Sequence, residues 1–184
     1  MLFIEKTTAA RANETNIFTR VDHEDGQEYL DEETGVSLTL PLGWRLPTAV
    51  RWGNQETTAY FNDRESKPFG ALYFRIFEEP LDPSLDATRQ RLREEVGPKA
   101  TQRIGEGLSD YRIDAQACRE RTIGGRPALS CVGEYTQDGQ PMVEYLTWVD
   151  SGIAFAQFFG RNPAANAVPF ITQFDVIIET LKIP

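Results

Sequence analysis

Apolar positions along this chain recur with two different periods, and the change from one to the other marks its elements. In GVSLTLPLGW (35–44), Val36, Leu38 and Leu40 alternate with Ser37, Thr39 and Pro41. That pattern predicts a half-buried strand stopped by proline. RLPTAVRWGNQETTAYFND (45–63) predicts a strand, a turn at Gly53-Asn54 and a returning strand. FGALYFRIFEEP (69–80) is dense in apolar residues, as a well-buried strand is. The period then lengthens. Asp82 as N-cap and Pro83 at the first helical position open a helix over 83–96. Leu85, Leu92 and Val96 form its narrow stripe, which suits covering a sheet, and Gly97-Pro98 ends it. From about 111 to 160 the pattern predicts a four-strand antiparallel meander, turning at Gly124-Gly125, Asp138-Gly139 and Ser151-Gly152. A closing helix over 169–182 carries Phe170, Phe174, Ile177 and Leu181 on one wide apolar face.

Turn chemistry fixes the register of the meander. A two-residue loop at Gly124-Gly125 sets 123 against 126 and 118 against 131, so the only two cysteines, Cys118 and Cys131, become direct neighbours. The pair falls at a non-hydrogen-bonded place, where Cα atoms are close enough for a disulfide. Pro127 and Pro141 fall at similar places, where no backbone N–H is required of them. Two readings of the cysteines remain, a structural disulfide or a pair of inert buried thiols, with the disulfide favoured. Their spacing is not the Cys-X-X-Cys of redox sites, and two sulfurs alone do not make a zinc site.

The registers also sort the sheet into two faces. Leu129, Cys131, Tyr135, Met142, Leu146, Trp148, Ile153, Phe155 and Phe159 share one. Ile113, Ala115, Ala117, Val132, Val143, Tyr145, Val149, Ala154 and Phe158 share the other. Both are largely apolar, so both are covered, and the two helices are the natural covers on opposite sides. The fold class is α+β: a three-layer α/β/α sandwich with a central, mainly antiparallel sheet.

Charge adds a boundary. The chain has 184 residues and a net charge of −9, of which residues 1–33 carry −6. Residues 1–33 are read as an acidic peripheral leader, with VDHEDGQEYLDEETG a solvated loop, and 34–184 as a single domain. A calcium loop there fails on spacing, since Val21 and His23 stand where oxygen ligands belong. The acidic balance argues against nucleic acid as a partner. The lack of a long apolar run argues against membrane insertion. No signal peptide is visible at Met1.

Motifs of chemistry are missing. No nucleophile elbow or phosphate loop is present, and GEGLSD (105–110) lacks the third glycine of a dinucleotide loop. His23, the sole histidine, sits in the acidic stretch, so a histidine-based triad is set aside. Glu78-Glu79 and Glu94-Glu95 read as solvated surface, and Trp44, Trp52 and Trp148 as packing residues. No catalytic residue, no cofactor-binding residue and no metal ligand is assigned, and no cofactor is expected.

GVSLTLPLGW resembles the opening of PsbP-like domains, a glycine-led strand followed by a proline and a tryptophan. IGGRPALSCVGEY is similar to their Gly-Gly hairpin, and FITQFDVIIETLKI to their closing helix. Together the three cover 34–184. The resemblance implies an α/β/α sandwich. It also implies an accessory or binding role, because the family includes the PsbP subunit of photosystem II, a Ran-binding nuclear import factor and bacterial DcrB-like envelope proteins. No functional residue transfers. The leading reading is a non-enzymatic bacterial accessory module, a monomer or small oligomer, binding an unknown protein or small ligand. The alternative is a small hydrolase or isomerase that uses carboxylates in a pocket near the sheet end. The DcrB-like branch together with the cysteine pair favours an exported, periplasmic protein with its signal removed over a cytoplasmic one.

Overall fold

The computed structural model describes residues 17–52, 56–62, 68–96, 109–113 and 118–184. Its centre is an eight-stranded sheet built from β4 (Thr48–Trp52), β5 (Glu56–Phe61), β6 (Phe69–Ile76), β7 (Ser109–Ile113), β8 (Arg119–Ile123), β9 (Arg126–Gln137), β10 (Gln140–Asp150) and β11 (Ala154–Pro163). The strand order is β4-β5-β6-β11-β10-β9-β7, β8 also pairs with β9, and every pairing is antiparallel. The hairpin registers follow from the turns: Ile123 faces Arg126, Thr122 faces Pro127, and Thr136 faces Pro141. Gly124, Gly125, Asp138 and Gly139 all have positive φ, as two-residue hairpin loops demand. Cys118 and Cys131 are joined, with Cα atoms 4.3 Å apart, the close spacing of a non-hydrogen-bonded pair.

Two helical segments cover opposite faces. On one face Leu92 packs against Leu129, Cys131, Leu146, Trp148 and Phe155. It belongs to the π-helical segment Arg91–Val96, into which helix α1 (Leu85–Gln90) runs on. On the other face helix α2 (Ala167–Glu179) buries Phe170, Phe174, Ile177 and Ile178 against Val143, Tyr145, Val149 and Phe158. This is the α+β sandwich the two apolar faces imply.

Gly70 and Gly160 face each other across β6 and β11. A Cβ on Gly70 would lie 2.6 Å from the Phe174 ring, and one on Gly160 would lie 2.7 Å from the Phe170 ring. The two glycines form a hollow in the sheet that admits the helix's aromatic rings. Phe174 sits within 5.5–6.4 Å, centroid to centroid, of Trp44, Phe61, Tyr145, Phe158 and Phe170.

Four expectations are corrected. First, the leader is not peripheral beyond residue 16. β1 (Thr19–Asp22), β2 (Gly26–Leu30) and β3 (Ser37–Pro41) form a three-stranded sheet, and Ile17 and Tyr29 are core residues. Residues 1–16 lie outside the described residues. The charge run misleads because Asp31, only 1% exposed, accepts hydrogen bonds from Glu33 N, Thr34 Oγ1 and Arg51 Nη2. Second, Ser84 caps α1 in place of Asp82. Ser84 accepts from Ala87 N, while the Asp82 carboxylate accepts from Ser84 N and organises the approach. Leu85 is 51% exposed, so Leu92 is the described anchor of the expected stripe, and the side chain of Val96 and Gly97-Pro98 lie outside the described residues. Third, the first strand of the meander pairs in a different register from the one expected. Ile113 faces Gly133, three positions from where the β8 register would place it, so it joins the Leu92 face rather than the Tyr145 face. Ala115 and Ala117 lie outside the described residues. Fourth, the second covering layer is helix plus sheet. β3 is bonded to the chain end through Thr39 N to Thr180 Oγ1 (2.8 Å) and Ser37 N to Lys182 O (3.1 Å).

Gly160→Ala is expected to destabilise the protein by about 1–3 kcal/mol, the usual cost of overpacking. Phe174→Ala is expected to cost about 3–5 kcal/mol through the cavity it leaves. Because both act on one hollow, the double variant should lose less than their sum in urea denaturation. Strict additivity would show that the rings do not depend on the glycine pair.

Candidate functional site

Strand alternation places one acid in the middle of an apolar run. In QPMVEYLTWVD, β10 sends Met142, Glu144, Leu146 and Trp148 to the α1 side of the sheet. Glu144 is buried to 1% exposure. Its neighbour on β11 is Arg161, whose Nε donates to Glu144 Oε2 at 2.6 Å. On the other side, Tyr111 of β7 reaches over Gly133 and donates its hydroxyl to Glu144 Oε1 at 3.2 Å. A Cβ at Gly133 would stand 2.6 Å from that hydroxyl, so the missing side chain is what lets Tyr111 through.

Burial pushes the Glu144 carboxyl above the ordinary range, against the pull of Arg161 and Tyr111. Tyr111 and Tyr135 are raised too, by burial first and then, for Tyr111, by the adjacent Glu144 charge. These shifted groups converge on one arginine. The Arg161 guanidinium lies 4.7 Å over the Phe159 ring and 5.7 Å over the Tyr135 ring. Phe159 meets Phe69 edge-on at 5.7 Å, Phe69 stacks on Tyr60 at 6.4 Å, and Tyr135 tilts against Tyr111 at 6.2 Å. The result is an aromatic row across β5, β6, β11, β9 and β7 with the Arg161 guanidinium at its middle.

Two other buried carboxylates are locks. Asp150 holds the Arg91 guanidinium by two bonds (2.8 and 3.1 Å) and Gly152 N at 2.7 Å, fastening α1 to the β10–β11 turn. Asp31 and Arg51 fasten the small sheet to the large one. Glu144 and Arg161 differ. They sit on adjacent strands already paired along nine positions, so the ion pair joins nothing that the ladder leaves loose. What it does is hold a guanidinium still.

The residues singled out in the sequence lie elsewhere. His23 is partly exposed, 3.6 Å from Glu28. Glu78, Glu79 and Glu94 are exposed, and the side chain of Glu95 lies outside the described residues. Trp44 and Trp148 are core, while Trp52 is half-buried and donates to Thr58 Oγ1. Of GEGLSD, residues 105–108 lie outside the described residues, and Ser109-Asp110 begin a strand rather than a helix. A shallow depression lies between Leu92, Arg93, Glu120 and Leu129, with a cavity volume of about 10 Å³, far below the roughly 300–1,000 Å³ of small-molecule sites. Glu144 was missed, though a lone acid inside MVEYLTWV was the signal for it. Arg161 carried none, since GRNP reads as a turn.

No family model and no curated protein matches this chain. Solved structures do. Cyanobacterial PsbP (CyanoP) from Synechocystis sp. PCC 6803 aligns with a TM-score of 0.60 at 13% identity, over 89% of this chain and 95% of that one. LpqN, involved in cell envelope biogenesis of Mycobacterium tuberculosis, aligns with a TM-score of 0.50 at 16% identity, over 91% of each chain. A Bacteroides thetaiotaomicron protein aligns at 0.55 and 14% identity, over 87% of this chain and 49% of its own. Among the described residues no helix is long and apolar enough to cross a membrane.

The raised Glu144 carboxyl has a consequence for stability. A carboxyl whose folded value lies above its unfolded value of about 4.3 stabilises the fold fully below that pH. The contribution is lost as pH climbs through the folded value. Wild type is therefore expected to lose stability relative to Glu144→Gln between pH 4 and pH 7, measured by urea denaturation at both. A difference that does not change with pH, or that grows in favour of wild type, contradicts this.

Proposed function

We propose that this chain, a protein of PsbP-like fold, is a non-enzymatic accessory or binding module that works outside the reducing cytoplasm of a bacterium. The observation that carries the non-enzymatic part is the closure of its polar centre. An enzymatic alternative, a carboxylate hydrolase or isomerase, would run through Glu144, the buried carboxyl whose pKa is raised. Both Glu144 oxygens already accept bonds, from Arg161 and Tyr111, and the residue is 1% exposed. A general base must come within hydrogen-bond reach of a substrate proton, and this one is enclosed by its own partners. What reaches the surface is Arg161, beside the half-buried Phe159 and Phe69, a composition typical of binding hot spots.

The compartment rests on Cys118 and Cys131. A bond between them closes a loop of 13 residues in sequence separation, worth about 3 kcal/mol by loop-closure entropy. Such bonds persist in oxidising compartments and are rare in cytosol. The description of LpqN as a protein of cell envelope biogenesis supports the same placement.

The test of compartment is thiol labelling of protein from its native source, denatured without reductant. No labelled cysteine is expected before reduction and two after it; two labelled at the outset return the protein to the cytoplasm. The test of the non-enzymatic reading is a screen of ester, amide and isomerisation substrates. Turnover by wild type that Glu144→Gln abolishes would establish the enzyme instead.

A further inference from the structure

We propose that Arg161 is a preformed receptor for a carboxylate on a partner polypeptide, with the aromatic row beside it seating an apolar side chain next to that carboxylate. The inference rests on the binding-module reading above and adds to it a site and a ligand class.

Three observations carry it. The first is pre-organisation. An arginine side chain ordinarily loses considerable rotamer freedom on binding. Arg161 has already lost it: its Nε is bonded to Glu144 at 2.6 Å, and its plane lies over Phe159 and Tyr135. The second is presentation. Glu144 takes only the Nε edge. Among the described residues no hydrogen bond uses Nη1 or Nη2, and the side chain is 36% exposed. A guanidinium held by Nε and open at both Nη atoms offers a two-pronged fork that matches carboxylate geometry. The third is an orphan donor. Tyr135, beneath the guanidinium, is 3% exposed, and its hydroxyl is buried without a hydrogen-bond partner. Leaving such a group unpaired costs about 1–3 kcal/mol, so a ligand oxygen that met it would recover part of that.

Ligand class follows from charge. Among the described residues of the row one cation is present, and with a carboxyl immediately behind it and a net charge of −9 on the whole chain it suits a single negative charge better than a phosphate or a polyanion. The row of Phe159, Phe69 and Tyr60 running away from Arg161 adds an apolar seat on one side. A carboxylate with an aromatic or aliphatic neighbour, as at an acidic-hydrophobic dipeptide or a chain terminus, fits both parts.

The experiment uses the full-length oxidised protein, with N-acetyl-phenylalanine as probe and N-acetyl-phenylalanine amide and inorganic phosphate as controls. Nuclear magnetic resonance follows the Arg161 Nε–H and the backbone amides of Gly133 and Tyr135. The free acid is expected to shift these signals saturably with a dissociation constant of about 1–10 mM. The amide, lacking the charge, should bind about tenfold or more weakly, the worth of a charged hydrogen bond. Arg161→Gln should abolish the response. Because it strands Glu144 without its partner, Glu144→Gln/Arg161→Gln serves as the second variant, a neutral pair that keeps the strands filled. It should also lose the response while keeping its amide spectrum elsewhere. Equal shifts from acid and amide, tighter binding of phosphate, an unchanged response in the double variant, or no shift at 50 mM probe would each overturn the proposal. None of these would touch the non-enzymatic reading, which stands or falls on turnover.

Discussion

The insertion of Phe174 into the hollow above Gly70 and Gly160 is the contact on which the rest of the structure depends. A sheet with side chains at both positions would hold the helix off by the thickness of a methyl group or more. The ring touches aromatic residues from the loop after β3, from β5, from β10, from β11 and from its own helix. One side chain thus joins elements spread from Trp44 to Phe174. The helix it belongs to then carries Thr180 and Lys182 to β3 and so docks the small sheet. Dispersion and burial at one closely packed point hold the second layer, because interiors tolerate little change in volume.

Buried charge is used in two ways here. Asp150 with Arg91, and Asp31 with Arg51, cross between separate elements, and each acid also accepts a backbone N–H bond. A third network, Arg121 with Asp175, Glu179 and the Tyr145 hydroxyl, fixes the outer side of α2 to β8 and β10. Removing one partner from such a set leaves an unpaired charge, which is why these ties specify geometry even where their net contribution is small. Glu144 and Arg161 spend the same physics differently. Their strands are already paired, so the buried acid orients a half-exposed base. The proposed binding role uses that asymmetry between a closed end and an open one.

The cysteine bond and the changed register in the meander are linked by position. β8 keeps the register set by its two-glycine turn as far as Arg119, and Cys118 is then tied to Cys131. β7 pairs with the same strand in a register displaced by three residues. That displacement puts Tyr111 and Ile113 on the α1 side of the sheet. Without it Tyr111 would face away from Glu144, and the polar centre would lack its second donor.

Local chemistry in the sequence determined the hairpins β8–β9 and β9–β10, because two-residue turns with positive φ leave one register and the prolines agree with it. It determined α2 and its buried face, because apolar spacing over three turns admits one helix orientation. It determined that both sheet faces are covered. Only the tertiary structure decided the rest. Asp31 is buried inside an acidic run because Arg51, twenty residues on, comes to meet it. Ser84 supplants Asp82 as cap because the two-residue offset is set by where the chain leaves the β10–β11 turn, at the Leu81 N to Gly152 O bond. Arg161 shows nothing special in GRNP, since its orientation comes from Glu144, 17 residues earlier, and from the Tyr135 ring on β9 together with the nearby Phe159. Contacts within a hairpin or a helix turn are written in neighbouring residues, whereas a cluster assembled across six strands is written in the order those strands take.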